Sequence, residues 1–312
     1  MNNDQLVKVA YMYYVDNISQ KDIAKEMNTS RANIARMLRL CREKKIVEIK
    51  INNESSYETF LALDLKSRFN LKDVTVIPDT INNEEAMIQV GKSGAAIVDR
   101  LLEDGAGIGI SLGTTLYHFV SNMPTSYHQN VSVVQLVGGS QARPFKTDGI
   151  NLVDTLATKL GAKAYLIHAP FLVKNEQLKE MLVAEPEVQE TLQMMYKIDI
   201  AIIGIGSNHY EINALYEQGL LDKGDADNII SPKAVCTICG QQLNSEGAVI
   251  ECSLNRRVIA FSVAALRSVK NVIALACGKD KVSAIKAALK GGFIDILVTD
   301  KKTALGILGT AP

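Results

Sequence analysis

The 312-residue sequence predicts an α/β chain in two parts, a small N-terminal winged helix-turn-helix over 1–54 and a larger α/β domain over 55–312. Three observations predict it. Two short amphipathic helical patterns with a tight break between them lie within Ser19–Leu40, and basic charge gathers around them. From residue 70 onward, short and nearly unbroken apolar runs alternate with helical stretches, the pattern of strands buried on both faces of a sheet.

Residues 2–16 carry Leu6, Val7, Ala10, Tyr11, Tyr14 and Val15 at helical spacing, which makes a first helix expected to cover the two that follow. Ser19 followed by Asp22 is a capping-box start, and Ile23, Ala24 and Met27 give the second helix one apolar face. Asn28 can end it, because Asn tolerates the left-handed conformation. Thr29 or Ser30 caps a third helix, in which Ile34, Met37, Leu38 and Cys41 follow the i, i+3, i+4, i+7 rule and face the core. Ala32, Arg36 and Arg39 then point outward, with Arg31 and Asn33 on the flanks.

That outward face suits a major groove. Arg donates two parallel bonds to guanine, Asn pairs with adenine, and a capped helix start brings backbone amides to phosphate. Double-stranded operator DNA is therefore the expected partner, touched by Ser19, Gln20, Thr29, Ser30, Arg31, Ala32, Asn33, Arg36 and Arg39. The plainer alternative is a three-helix packing unit with solvated arginines. Charge favours DNA: Ser19–Ile51 holds nine Lys or Arg against four acids in a chain of zero net charge, so the remainder is acidic. After the third helix, Val47, Ile49 and Ile51 alternate with Glu48 and Lys50 as in a half-buried strand. This is the position of a wing, where Lys44, Lys45 and Lys50 are candidates for backbone contacts, with solvated charge as the alternative for each.

The polar run INNESS loosens the chain near residue 55. The pattern YETFLALDLKSRFNL, with Phe60, Leu61, Leu63, Leu65 and Phe69, then reads as a connecting helix whose apolar faces could also join two subunits, which would match a palindromic operator. Strands are expected at 74–77, 107–111, 131–137, 164–167, 198–205, 271–277 and 295–299, with helices near 84–103, 149–160, 176–195 and 280–290. Ligands of parallel sheets bind outside the carboxyl ends of the strands. After GIGIS, which ends at Ser111, come Gly113, Thr114 and Thr115 and then a helix. A glycine for close approach, two hydroxyls and a helix start favour a phosphate, with a plain capped turn as the alternative. Gly138 and Gly139 follow another strand, Gly206 and Ser207 a third, and Lys281 opens a helix where its ammonium could meet the same anion. A solvated helix lysine is the alternative there.

Other classes are disfavoured. Aromatics are 5% and Trp is absent, so stacking platforms for single strands are not expected. No run approaches the roughly 20 apolar residues of a membrane span, and no basic start leads an apolar run, so a cytoplasmic location is expected. Five cysteines argue for reduced thiols. Cys236 and Cys239 have CxxC spacing, but no second pair follows, so buried small side chains are expected over metal or redox chemistry. The glycines at 107, 109 and 113 fit neither GxGxxG nor a P-loop, so no dinucleotide or other cofactor is expected. His118, His128, His168 and His209 show no HxxxH spacing, no GxSxG occurs, and His168 reads as a satisfied core residue. No catalytic residue is assigned.

The segments SQKDIAKEMNTSRANIARML, GIGISLGTTL, VVQLVGG, IDIAIIGIGS, LNRRVIAFS and KVSAIKAALKGGFIDILVTDKKTA, in this order, make the chain resemble the SorC/DeoR-type sugar-binding transcriptional regulators over essentially its full length. The resemblance implies a winged helix-turn-helix joined to an effector domain similar to sugar-phosphate isomerases, assembled as a dimer of dimers (a homotetramer). It also implies a phosphorylated sugar effector that changes operator affinity, and a repressor of a carbohydrate or nucleoside catabolic operon. Carried over, Gly113, Thr114 and Thr115 match the phosphate-facing loop and Lys281 the lysine of the late helix. Ser111, Gly138, Gly139, Gly206, Ser207, Thr237 and Gln241 complete the expected effector set. One segment departs: in VCTICGQQLNSEG, Cys236 and Thr237 replace a Gly-Asp or Gly-Glu pair, and Leu243 and Asn244 replace Phe-Asp. A carboxylate accepts from two sugar hydroxyls, which Thr237 cannot do. The competing readings are an isomerase- or deaminase-like enzyme with a DNA-binding appendage, which needs an acid or base beside the ligand, and a constitutive DNA clamp without a ligand.

Overall fold

The computed structural model describes residues 3–47, 57–139, 145–207 and 234–309. The chain divides into two compact units, Met1–Glu54 and Ser55–Pro312.

The first unit is built from α1 (Asn3–Tyr14), α2 (Gln20–Glu26) and α3 (Arg31–Glu43). Its core joins Leu6, Val9, Ala10 and Met12 of α1 to Ile23 and Ala24 of α2 and to Ile34, Met37, Leu38 and Cys41 of α3. Burying each large aliphatic side chain contributes about 1.5–3 kcal/mol. The inward face of α1 differs from the expected one: Val7, Tyr11 and Val15 are 51%, 58% and 57% exposed. The helix is apolar on more than one side, so spacing alone did not choose the face that packs. The wing candidate is described only as far as Val47; Ile46 and Val47 lie half-buried against this core in bends, and 48–51, including Lys50, lie outside the described residues.

The second unit opens with α4 (Tyr57–Phe69), which buries Leu61 and Leu65. A seven-stranded parallel sheet follows, made of β1 (Asp73–Ile77), β2 (Gly107–Ile110), β3 (Ser132–Gln135), β4 (Lys163–Tyr165), β5 (Ile200–Ile203), β9 (Asn271–Leu275) and β10 (Ile296–Asp300), in spatial order β1-β10-β9-β5-β2-β3-β4. Neighbouring side chains alternate between two cores: Ile200 and Ile202 enter one, Ala201 and Ile203 the other. The helices α5 (Asn83–Leu101), α6 (Thr114–Asn122) and α7 (Gly149–Leu160) cover the first face. On the other face lie α4, α9 (Pro186–Met194), α11 (Val282–Lys290) and α12 (Lys301–Leu308). Near-continuous apolar strands are the consequence of this two-sided cover.

Three details differ from the sequence reading. The helix expected over 176–195 is two, α8 (Glu176–Ala184) and α9, because Pro186 has no N–H to donate and holds Glu185 extended at ψ 133°. A small antiparallel sheet of β6 (Gly206–Ser207), β7 (Cys236–Ile238) and β8 (Gln241–Leu243) was not expected. His168 is exposed between Ile167 and Ala169, which are both buried, so its side chain turns away from the core that its neighbours enter. The remaining short helix, α10 (Ser253–Arg257), ends with a buried Arg257.

Candidate functional site

In the first unit the helix-turn-helix geometry is fixed by local hydrogen bonds. The Ser19 hydroxyl accepts from the Asp22 amide at 3.2 Å and donates to its carboxylate at 2.6 Å, holding that carboxyl below its usual range. At the other end of α2, Asn28 sits at φ 50°. The Thr29 amide donates to Ala24 O at 2.8 Å and the Asn28 amide to Lys25 O at 3.1 Å, a Schellman ending that turns the chain sharply. Ser30 then caps α3 by accepting from the Asn33 amide at 3.1 Å.

Buried Ile34, Met37, Leu38 and Cys41 leave Arg31, Ala32, Arg36 and Arg39 exposed on the opposite side of α3, with Ser19 and Ser30 exposed near the two helix starts. Gln20 and Thr29 are half-buried. The Asn33 side chain is already engaged, its amide donating to Thr29 Oγ1 at 2.9 Å, so pairing with adenine would require that bond to open. Arg39 reaches Glu43 at 3.4 Å, an exposed pair of little energy. Lys45 is exposed at φ 55° just beyond α3, whereas Lys44 donates to Asn3 at 3.3 Å.

In the second unit the chain runs from β2 outward through β3 to β4 and then returns to β5, next to β2 on its other side. The switch point is therefore between β2 and β5, where a ligand crevice is expected. Buried Ser111 binds the two strand tips together, its hydroxyl accepting from the Gly204 amide at 3.2 Å.

The helix starts differ around this point. Side chains cap α5 (Asn82), α7 (Asp148), α8 (Asn175) and α12 (Asp300). Two starts have no capping side chain and open on a glycine at positive φ. Gly113 precedes α6 at φ 130°, and Gly278 precedes the short 3-10 turn Lys279–Lys281 at φ 112°. These follow β2 and β9, the two neighbours of β5. Uncapped amides on both sides of one strand tip are what an anion needs. Thr114 is exposed beside the first, Thr115 is buried, and a Cβ built on Gly113 meets nothing within 4 Å.

A cavity of about 630 Å³ lies over the ends of β1, β10, β9 and β5. It brings together the expected Gly206, Ser207 and Lys281 with residues the sequence reading missed: Asn83, Lys279 and Lys302 among others. Those follow different strands, and only the polar runs after VTVI, NVIALAC and DILVT could have signalled them.

Other expected effector residues serve the fold. The Gly138 amide donates to Ile259 O and the Gly139 amide to Ala169 O, both at 3.0 Å, so neither N–H is free for a ligand. A Cβ on Gly138 would lie 2.8 Å from Ala169 O, which explains this glycine by close packing. Thr237 is buried on β7 with its hydroxyl on Gln242 Oε1 at 3.1 Å. Gln241 donates to Phe261 O at 2.9 Å and accepts from the Val263 amide at 3.3 Å.

Cys236 opens β7, and Cys239 (φ 48°) with Gly240 (φ 74°) forms the two-residue turn that joins β7 to β8. Both thiols are buried, and burial pushes Cys239 up to about 12. Among the described residues no group of three His, Cys, Asp or Glu could hold a metal ion, and no helix is long and apolar enough to cross a membrane.

A family model for the sugar-binding domain (Sugar-bind) matches residues 54–309. The sorbitol operon regulator of Klebsiella pneumoniae is 30% identical over 302 residues, 96% of each chain, and the deoxyribonucleoside regulator of Bacillus subtilis is 25% identical over 97% of this chain and 96% of that protein. The crystal structure of the full-length Klebsiella regulator SorC superposes with a TM-score of 0.75 at 29% identity, covering 97% of this chain and 98% of that one.

Proposed function

Because this chain belongs to the SorC/DeoR family of sugar-binding transcriptional regulators, we propose that it represses a carbohydrate or nucleoside catabolic operon and that a phosphorylated sugar sets its affinity for the operator. The observation that carries the reading is the pair of uncapped, glycine-initiated helix starts on either side of the β5 tip, combined with the exposed arginine face of α3. The relatives named above regulate operons of a sugar alcohol and of deoxyribonucleosides, which suits a sugar-derived effector here.

In this reading the domain of 1–54 binds DNA. Arg36 reads a base edge, and Arg31, Arg39 and Lys45 approach phosphates. The domain of 55–312 binds the effector: the α6 amides and the Thr114 hydroxyl hold its phosphate, Lys281 supplies a point charge, and Gly206 and Ser207 face its hydroxyls. The protein acts in the cytoplasm as a homotetramer, a dimer of dimers that matches a palindromic operator. Regulation then requires the effector to bind free and DNA-bound forms with different affinity.

The experiment is a gel retardation of operator fragments with and without each member of a phosphorylated-sugar panel, at fixed salt. The expected result is a sequence-specific complex that one sugar phosphate releases. Retardation without sequence preference, or turnover of a sugar phosphate by the purified protein, would overturn the reading.

A further inference from the structure

We infer that Lys301, held between Glu58 and Asp79, is a positioning residue through which the effector cavity sets the place of α4, the helix by which the chain enters the second unit. This rests on reading that cavity as the effector site, and adds to it a route for the response. Thr80, Asp300 and Lys302 line the cavity, whereas Lys301 does not. It lies between two lining residues, and Asp79 precedes the third. Its ammonium reaches Glu58 at 3.1 Å and Asp79 at 3.6 Å and stands 5.1 Å from the centre of the Tyr57 ring. Tyr57 and Glu58 are the first two residues of α4.

The charge is out of place for its own helix and suited to its neighbours. Lys301 and Lys302 both open α12, the end at which a helix dipole disfavours cations. At Lys301 two carboxylates offset that cost. Its pair with Glu58 is sheltered, the side chains 24% and 22% exposed against 66% and 57% for Arg39 and Glu43. Glu58 foremost, with Asp79 behind it, holds the Lys301 proton above the usual lysine range. Attraction shielded from water persists where a surface pair contributes little.

Both sides of this contact are tied to something larger. On the cavity side, the Asp300 carboxylate accepts from the Gly278 amide at 3.0 Å and from the Thr303 amide at 2.9 Å, and the Thr303 hydroxyl accepts from the Gly278 amide at 2.8 Å. The uncapped turn Lys279–Lys281 and the start of α12 therefore shift together. On the other side, Arg68 near the end of α4 donates to Leu308 O at the end of α12 at 3.0 Å. The two helices are thus joined start to start and end to end. Between those ties α4 fully buries only Leu61 and Leu65, so it can follow α12 without breaking a large core. A ligand that draws Lys281 or Lys302 inward moves the start of α12, and Lys301 moves the start of α4 with it.

The test measures coupling in the full chain. Operator affinity is determined with and without a saturating sugar phosphate, taken from a panel of hexose, pentose and hexitol monophosphates, for wild type, Glu58→Gln, Lys301→Met and the double variant. Lys72→Met is the matched control, because Lys72 pairs with Asp295 at 3.2 Å at the opposite ends of β1 and β10. Each single variant is expected to lower the ratio of the two operator affinities by about 2- to 30-fold, and the double variant to lower it no further. Lys72→Met should leave the ratio unchanged, and calorimetry should show the sugar phosphate bound by every variant. Urea unfolding separates positioning from support, since a purely structural pair would cost stability and leave the ratio intact. The role of Lys301 is refuted if the single variants keep the wild-type ratio, if their losses add, or if Lys72→Met lowers it as much; in those cases the effector reading stands. A wild type that binds no sugar phosphate, or whose operator affinity the bound phosphate leaves unchanged, removes the effector reading and the role of Lys301 with it.

Discussion

Replacement of Gly113 by Ala tests the effector turn with little steric interference. The residue sits at φ 130° and ψ 169°, a region open almost exclusively to glycine, and a Cβ built there meets no heavy atom within 4 Å. The cost is therefore backbone strain alone, about 1–3 kcal/mol. For a unit of this size that lowers the melting temperature by roughly 2–10 °C. If instead the turn relaxes, the Gly113 amide leaves Thr147 O, now 3.1 Å away, and the start of α6 moves with Thr114. Either way the effector response should fall, because the amides no longer converge on one point, while operator binding by the other unit is retained. Gly309→Ala is the control: it lies equally open but in ordinary left-handed geometry at φ 73° and ψ 22°, costs about 1 kcal/mol, and leaves the response unchanged. Urea denaturation with gel retardation across the sugar-phosphate panel reads both quantities. A Gly113→Ala protein with full stability and full response would refute the reasoning.

Further outcomes follow from the same geometry. Arg36→Ala should weaken operator binding by about 1–3 kcal/mol at fixed salt, with effector binding intact by calorimetry; unchanged operator affinity would remove Arg36 from the interface. Ser30→Ala removes the acceptor for the Asn33 amide and should cost about 1 kcal/mol in urea unfolding, whereas no loss would mean that solvent satisfies that amide as well. Thr114→Val and Lys281→Ala should leave operator binding unchanged and blunt the response to the effector, and a wild-type dose curve for Lys281→Ala would take that residue out of the site. Burial raises the Cys239 and Cys277 thiols from 9.0 to about 12, with Asp300 adding to the rise at Cys277. The folded state then holds these protons more tightly than the unfolded one, so their contribution is intact below pH 9 and is lost as pH climbs from 9 toward 12. Thiol reagents at pH 8 should accordingly spare both in the native protein, and rapid labelling there would contradict their burial.

Much of the architecture was legible because it is written in local periodicity. Ser19, Asn28 and Ser30 mark the helix-turn-helix by caps that act within a few residues, and the sheet strands are apolar runs that any two-sided cover requires. What escaped notice depends on contacts distant in sequence. The two-residue strand Gly206–Ser207 has no period to detect, and its pairing with Cys236–Ile238 crosses a long intervening segment. Cys236 and Cys239 are the buried small side chains expected of them, but that Cys239 sits in a hairpin turn went unread, although the adjacent Gly240 could have announced it. Gly138 and Gly139 resembled a ligand loop by composition, but their amides close the fold onto Ile259 and Ala169. In the cavity, Lys281 was visible from its helix start, whereas Asn83 and Lys302 join it only because β10 lies beside β9 and β1 beside β10 in space.

Reciprocal titration tests the coupling of the two units most directly: operator affinity is measured with and without saturating sugar phosphate, and effector affinity with and without saturating operator, in one buffer. Repression relieved by the effector predicts that both ratios agree and lie at about 5–150-fold. Equal operator affinity in the presence and absence of an effector that demonstrably binds would contradict it.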